Sequence, residues 1–139
     1  MSNWLRAVVS TTIKDPKRSL FEKACANMGY KPDYSLKTVH GAYSGEATES
    51  VDCVLRNIPS GDESTIGFKF GKNPEGEVVL SVSGDFYRCN FSGEEFMRQL
   101  GMQYNYEHAK AAMEEQGYTI EETTQEQDQI VFVGYRQVA

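Results

Sequence analysis

Apolar and polar residues alternate along this chain in two rhythms, and the rhythm changes wherever proline, glycine or short polar side chains gather. Residues 4–13 are rich in β-branched side chains and predict a strand that Lys14-Asp15-Pro16 ends. Directly afterwards Leu20, Phe21, Ala24 and Met28 share one face at helical spacing. Asp15 is placed to cap that helix, Pro16 suits its first position, and Gly29 supplies a left-handed stop. Between Tyr30 and Val82 the helical period vanishes. Short runs at residues 37–43, 50–57, 65–70 and 78–82 predict an antiparallel meander, because the turns that separate the later runs are too short for parallel crossovers. In Ile66-Gly67-Phe68-Lys69-Phe70 the even positions are apolar, so Ile66, Phe68 and Phe70 are expected inside and Lys69 in water.

Ser92-Gly93-Glu94-Glu95 reads as a capping box, with Phe91 and Phe96 around it as a hydrophobic staple, and predicts a helix start. Gly101 is expected to break or bend this helix. Beyond it Met102, Tyr106, Ala109 and Met113 form one apolar stripe before Gly117 ends the helix. Residues 118–121 and 130–133 then read as two closing strands. The segments 20–30 and 108–118 both run helix, glycine, tyrosine. This echo suggests equivalent structural parts, arising either from an ancient duplication or from the common use of glycine to hand a helix on to a strand. The pattern as a whole predicts one α+β domain over residues 1–139, a mainly antiparallel sheet of about seven strands with the helices packed on one face.

Composition narrows the function classes. The 139 residues are 40% hydrophobic and 12% aromatic, enough to bury a core without disulfides or a structural metal. The longest apolar runs are far too short to cross a bilayer, and the first residues lack the pattern of a secretion signal, so a cytoplasmic location is expected. Cys25, Cys53 and Cys89 are odd in number and form no C-x-x-C pair, which suits small core residues in a reducing compartment. A net charge of −6 argues against phosphate backbones and anionic lipid as partners.

The charge is uneven. Residues 1–40 hold seven Lys/Arg against three Asp/Glu, whereas Ala111 to Tyr135 contains no Lys or Arg at all while Glu114, Glu115, Glu121, Glu122, Glu126 and Asp128 accumulate. That acidic run is either a solvated face that confers solubility or a docking surface for a basic partner, with Glu114, Glu115, Glu121 and Glu122 as the candidate partner-binding residues.

Catalytic motifs do not surface. His40, His108 and the three cysteines stand at no zinc spacing, so no metal is expected, although a fold-assembled site such as His40 with Cys53 and Cys89 remains conceivable. There is no G-x-S-x-G elbow, no Walker loop and no G-x-G-x-x-G, and no cofactor is expected. Phe68, Phe70, Phe86, Tyr87 and Phe91 cluster without accompanying basic residues, which reads as core rather than a stacking platform for bases. Two element ends combine polar and aromatic groups, Gly84-Asp85-Phe86-Tyr87-Arg88 and Gln103-Tyr104-Asn105-Tyr106. They give a candidate ligand pocket between sheet and helices at Asp85, Arg88 and Tyr104, against the plainer reading that Asp85 and Asn105 cap backbone and the tyrosines pack.

The stretch Thr65-Ile66-Gly67-Phe68-Lys69-Phe70, residues 79–85, Phe96, Leu100, Gln103-Tyr104-Asn105-Tyr106, Ala111 and Gln116-Gly117-Tyr118 with Ile120 together resemble the uncharacterised hypothetical-chloroplast-reading-frame proteins of cyanobacteria, red-algal plastids, other bacteria and phages. The likeness covers residues 64–135, with a looser match in the opening strand and helix. The ending Tyr135-Arg136-Gln137-Val138-Ala139 departs from the Arg-Trp pair common in that family. The resemblance implies no catalytic residues. The acidic surface and the lack of catalytic constellations point to a small cytoplasmic interaction or adaptor protein that is not an enzyme; the resemblance adds a phage among its sources and an AAA-type ATPase or a host protein as the expected partner. A ligand-binding module and an enzyme with a fold-assembled site are the alternatives.

Overall fold

A computed structural model describes residues 2–8, 13, 15–40, 47–56, 66–84, 92–126 and 129–137. Among these, two helices and nine strands follow in the order β1 (Ser2–Val8), α1 (Arg18–Asn27), β2 (Lys31–Asp33), β3 (Thr38–His40), β4 (Ala47–Ser50), β5 (Cys53–Arg56), β6 (Ile66–Lys72), β7 (Val78–Gly84), α2 (Gly93–Glu115), β8 (Thr119–Glu126) and β9 (Gln129–Gln137). The class is α+β with antiparallel sheets, as the pattern predicts. The strands divide over three sheets rather than one, ordered β1-β9-β8, β2-β5-β6-β7 and β3-β4.

The meander is confined to β5, β6 and β7. Its last hairpin is built by Asn73, whose side-chain carbonyl accepts the N–H groups of Glu75 (3.1 Å) and Glu77 (2.9 Å), while Gly76 takes a φ of 82°. On the far side β2 pairs with β5, so the chain leaves this sheet for the β3-β4 hairpin and then returns. Asp52 secures the return: its carboxylate accepts the Phe70 N–H at 2.7 Å, and its own N–H bonds the Phe68 carbonyl at 2.8 Å.

Alternation along β5 and β6 sends residues to opposite faces. Cys53, Leu55, Ile66 and Phe68 meet Phe21, Ala24 and Cys25 of α1 and Phe96, Leu100 and Tyr104 of α2 in a fully buried core. Its aromatic rings are in contact, with Phe21 edge-on to Phe68 (5.0 Å) and to Phe70 (5.3 Å), and Phe68 5.9 Å from Phe96. On the opposite face Val54 joins Val39 and Val51 in a small valine cluster that closes over Gly67. A methyl at Gly67 would stand 2.7 Å from a Val39 methyl and 2.9 Å from both a Val51 methyl and the Cys53 carbonyl oxygen.

The second core is smaller and softer. Met102 and Met113 of α2 lie on Tyr118, Ile130 and Phe132, with Tyr106, Ala109 and Ile120 at its margin. The stripe Met102, Tyr106, Ala109 and Met113 therefore faces the three-stranded sheet as its spacing predicts. Since Phe96, Leu100 and Tyr104 serve the first core, α2 is the element shared by both.

Three local expectations are corrected. Gly101 does not break α2, which runs unbroken for 23 residues; Gly101 is buried, and packing on both cores outweighs the roughly 1 kcal/mol that a mid-helix glycine costs. Asp15 does not cap α1. It takes a left-handed φ of 47°, the helix begins after Lys17, and no side chain of the segment caps it. In place of a local cap, the Tyr104 hydroxyl accepts the Lys17 N–H at 2.8 Å, so α2 supplies the group that fixes the entry of α1. The capping box at Ser92 is half present: the Ser92 hydroxyl accepts the Glu95 N–H at 3.1 Å, but the Glu95 carboxylate holds Arg98 (2.7 and 3.0 Å) and Gln99 (3.1 Å). Phe91, its staple partner, lies outside the described residues.

Both helices end in the same hydrogen-bond pattern. Gly29 and Gly117 adopt φ of 84° and 90°, and the following tyrosine N–H reaches back to Cys25 (2.9 Å) and to Met113 (3.0 Å). The helix, glycine, tyrosine echo is thus one Schellman motif used twice. Tyr30 stacks on Phe96 in the first core, and Tyr118 lies in the second.

Candidate functional site

The two thiols among the described residues are drawn inward. Cys25 and Cys53 are free thiols at 0% exposure in the first core. Burial, with Cys53 and Glu22 nearby adding to it, pushes the Cys25 thiol far up. Burial likewise lifts Cys53 to about 11. A thiolate is the nucleophile and the metal ligand, so at neutral pH these two act as small apolar fillers. Tyr34 lies beside Cys53 and Glu22, and burial raises its hydroxyl as well. The Arg18 guanidinium sits over the Tyr34 and Phe70 rings, 5.1 Å from each centroid, and spends its charge on aromatic faces.

Asp85, Arg88 and Cys89 lie outside the described residues, as does the side chain of His40. His108 is exposed on α2. Tyr104 is 1% exposed, and its hydroxyl is engaged by the Lys17 backbone as described. No group of three or more His, Cys, Asp or Glu among the described residues is arranged to hold a metal ion.

Gln103, part of a polar and aromatic run in the sequence, has partners in the fold that the sequence does not announce. Gln103, buried at 6% exposure, accepts from the Asn27 side-chain amide at 3.2 Å and donates to the Gln125 side-chain carbonyl at 3.1 Å. Asn27 also donates to Glu107 at 3.1 Å. The chain of amides ties the end of α1 to α2 and on to β8. Its only sequence trace is a glutamine interrupting the apolar face of α2 between Met102 and Tyr104.

Two surface features remain. One is a groove of about 380 Å³ lined by Ile13, Val79, Leu80, Glu94, Met97 and Arg98, where β7 meets the first turns of α2. Val79 is the large hydrophobic residue most exposed there, at 39%. The other is the acidic end of the molecule. Glu114 and Glu115 close the last turn of α2, Glu121 and Glu122 follow four residues beyond Gly117 on β8, and all four are exposed. A register shift in the β8-β9 ladder places Ile120 opposite Gly134 and Glu122 opposite Val133, leaving Glu121 as the extra residue.

The electrostatics of this end are self-unfavourable. The last turn of α2 carries no basic residue, so carboxylates sit at the negative pole of the helix dipole. Relief comes from β9, where Arg136 donates to the Gln116 carbonyl at 3.2 Å and lies 4.7 Å over the Tyr118 ring. β8 is also an outer strand of its sheet, and charges with a bulge are the usual guard against strand addition there.

Fold and surface together define a small α+β domain in which two helices cover antiparallel sheets and the α2–β8 connection is flanked by exposed carboxylates. The chain belongs to the DUF1257 family, described as a protein of unknown function, whose model matches residues 24–133. The match runs from Ala24, inside α1, to Val133, inside β9, and takes in the second core and all the buried residues of the first except Phe21. No curated protein and no solved structure matches the chain. Among the described residues no helix is long and apolar enough to cross a membrane.

Proposed function

We propose that this protein is a non-catalytic interaction or adaptor module that presents the carboxylates of Glu114, Glu115, Glu121 and Glu122 to a basic face of a protein partner. The observation that carries this reading is the exposure of four carboxylates on either side of the α2–β8 turn, two of them, Glu114 and Glu115, in the last turn of α2 where they oppose the helix dipole. Charge so placed steers association and selects partners rather than stabilising the domain.

The resemblance to plastid and phage reading frames makes an AAA-type ATPase or a host protein the first class to try. The experiment compares the wild-type chain with a variant carrying Glu114→Gln, Glu115→Gln, Glu121→Gln and Glu122→Gln as bait, at low and at physiological salt. The expected result is a partner held by the wild type, weakened at the higher salt and lost from the variant, because screening and neutralisation act on the same exposed charges. No partner at either salt, or equal capture by both baits, overturns the reading.

A further inference from the structure

We draw no further inference here: the strongest candidate, the groove between the uncharged outer strand β7 and the first turns of α2, lined by Ile13, Val79, Leu80, Glu94, Met97 and Arg98, is a mainly apolar face for which nothing in the structure shows what covers it.

Discussion

The two cores that share α2 are built on different terms. The first is aromatic and enclosed: rings of Phe21, Phe68 and Phe96 meet edge to face or tilted, ten fully buried residues contribute, and valines of the β3-β4 hairpin and its neighbours close the opposite face of the sheet. The second has fewer buried residues and sets Met102 and Met113 of α2 against Tyr118, Ile130 and Phe132, with one edge-on ring pair, Tyr106 and Phe132 at 5.5 Å. Aromatic and β-branched side chains have few rotamers and pack in one way, whereas methionine bends to fit. Stability is therefore expected to concentrate in the first core, to which α1, β5, β6 and α2 all contribute. The second core is the more adaptable, and its elements carry the exposed acidic end.

The largest test of that contrast is Phe68→Ala. Phe68 is fully buried and touches Phe21 and Phe96, so its removal leaves a cavity that rigid neighbours cannot fill. We expect a loss of about 4 kcal/mol, read as a fall in the urea midpoint. A loss below about 1 kcal/mol would show that the first core repacks freely and would dissolve the contrast.

A sharper comparison uses two glycines. A methyl at Gly134 runs into Met113 Cε, the tip of a flexible side chain, with a Tyr118 ring carbon next at 3.3 Å. A methyl at Gly67 meets two valine methyls and a backbone carbonyl oxygen. Gly67→Ala is expected to cost about 3 kcal/mol and Gly134→Ala about 1, even though the Gly134 site is nominally the tighter. Equal costs, or the reverse order, would contradict a stiff first core and a pliant second.

Tyr104→Phe removes the acceptor of the Lys17 N–H while keeping the ring in place. The expected cost is about 1 kcal/mol, the usual worth of one such bond, with hydrogen exchange accelerated at the start of α1 and unchanged at its glycine-capped end. Uniform exchange along α1 would show that the hydroxyl does not hold the helix entry.

Acid sensitivity sharpens the comparison further. Hydrogen bonds from the Ser35 hydroxyl and N–H, with Arg56 at 3.4 Å adding to them, hold the Asp33 carboxyl below its ordinary 3.8. Bonds from Arg98 and Gln99 hold Glu95 below 4.5. A carboxyl whose folded value is depressed contributes stability that is present above its ordinary value and lost as the pH falls through the folded one. Stability should therefore decline below about pH 4.5, and Asp33→Asn with Glu95→Gln should flatten that decline at a small cost at pH 7. An unchanged acid limb in the double variant would show that these carboxylates do not govern it.

Local chemistry was legible in the sequence wherever the cause was local. The Ser92 cap, the glycine stops at 29 and 117, the alternation at Ile66, Phe68 and Phe70, and the α2 stripe all follow from neighbours within one turn or one pleat. What escaped depends on distant partners. Tyr104 replaces the cap expected of Asp15 across 87 positions of chain. Burial keeps Gly101 helical, and the return of β5 to pair with β2 splits one expected sheet into several. Burial of Cys25 and Cys53 follows from their type, whereas the Gln103 amide chain had no motif to announce it. The acidic run was plain as composition. That Glu114, Glu115, Glu121 and Glu122 are all exposed, on either side of the α2–β8 turn, needed the fold.

The smallest expected effect on stability falls on the acidic end, and it bears most directly on the account. Neutralising Glu114, Glu115, Glu121 and Glu122 together should leave the urea midpoint unchanged or slightly raised, because like charges are removed from the negative end of a helix. If the account is right, the same folded variant, in a side-by-side binding assay with the captured partner, loses most of the wild-type affinity. Full affinity retained by the stable variant would contradict it.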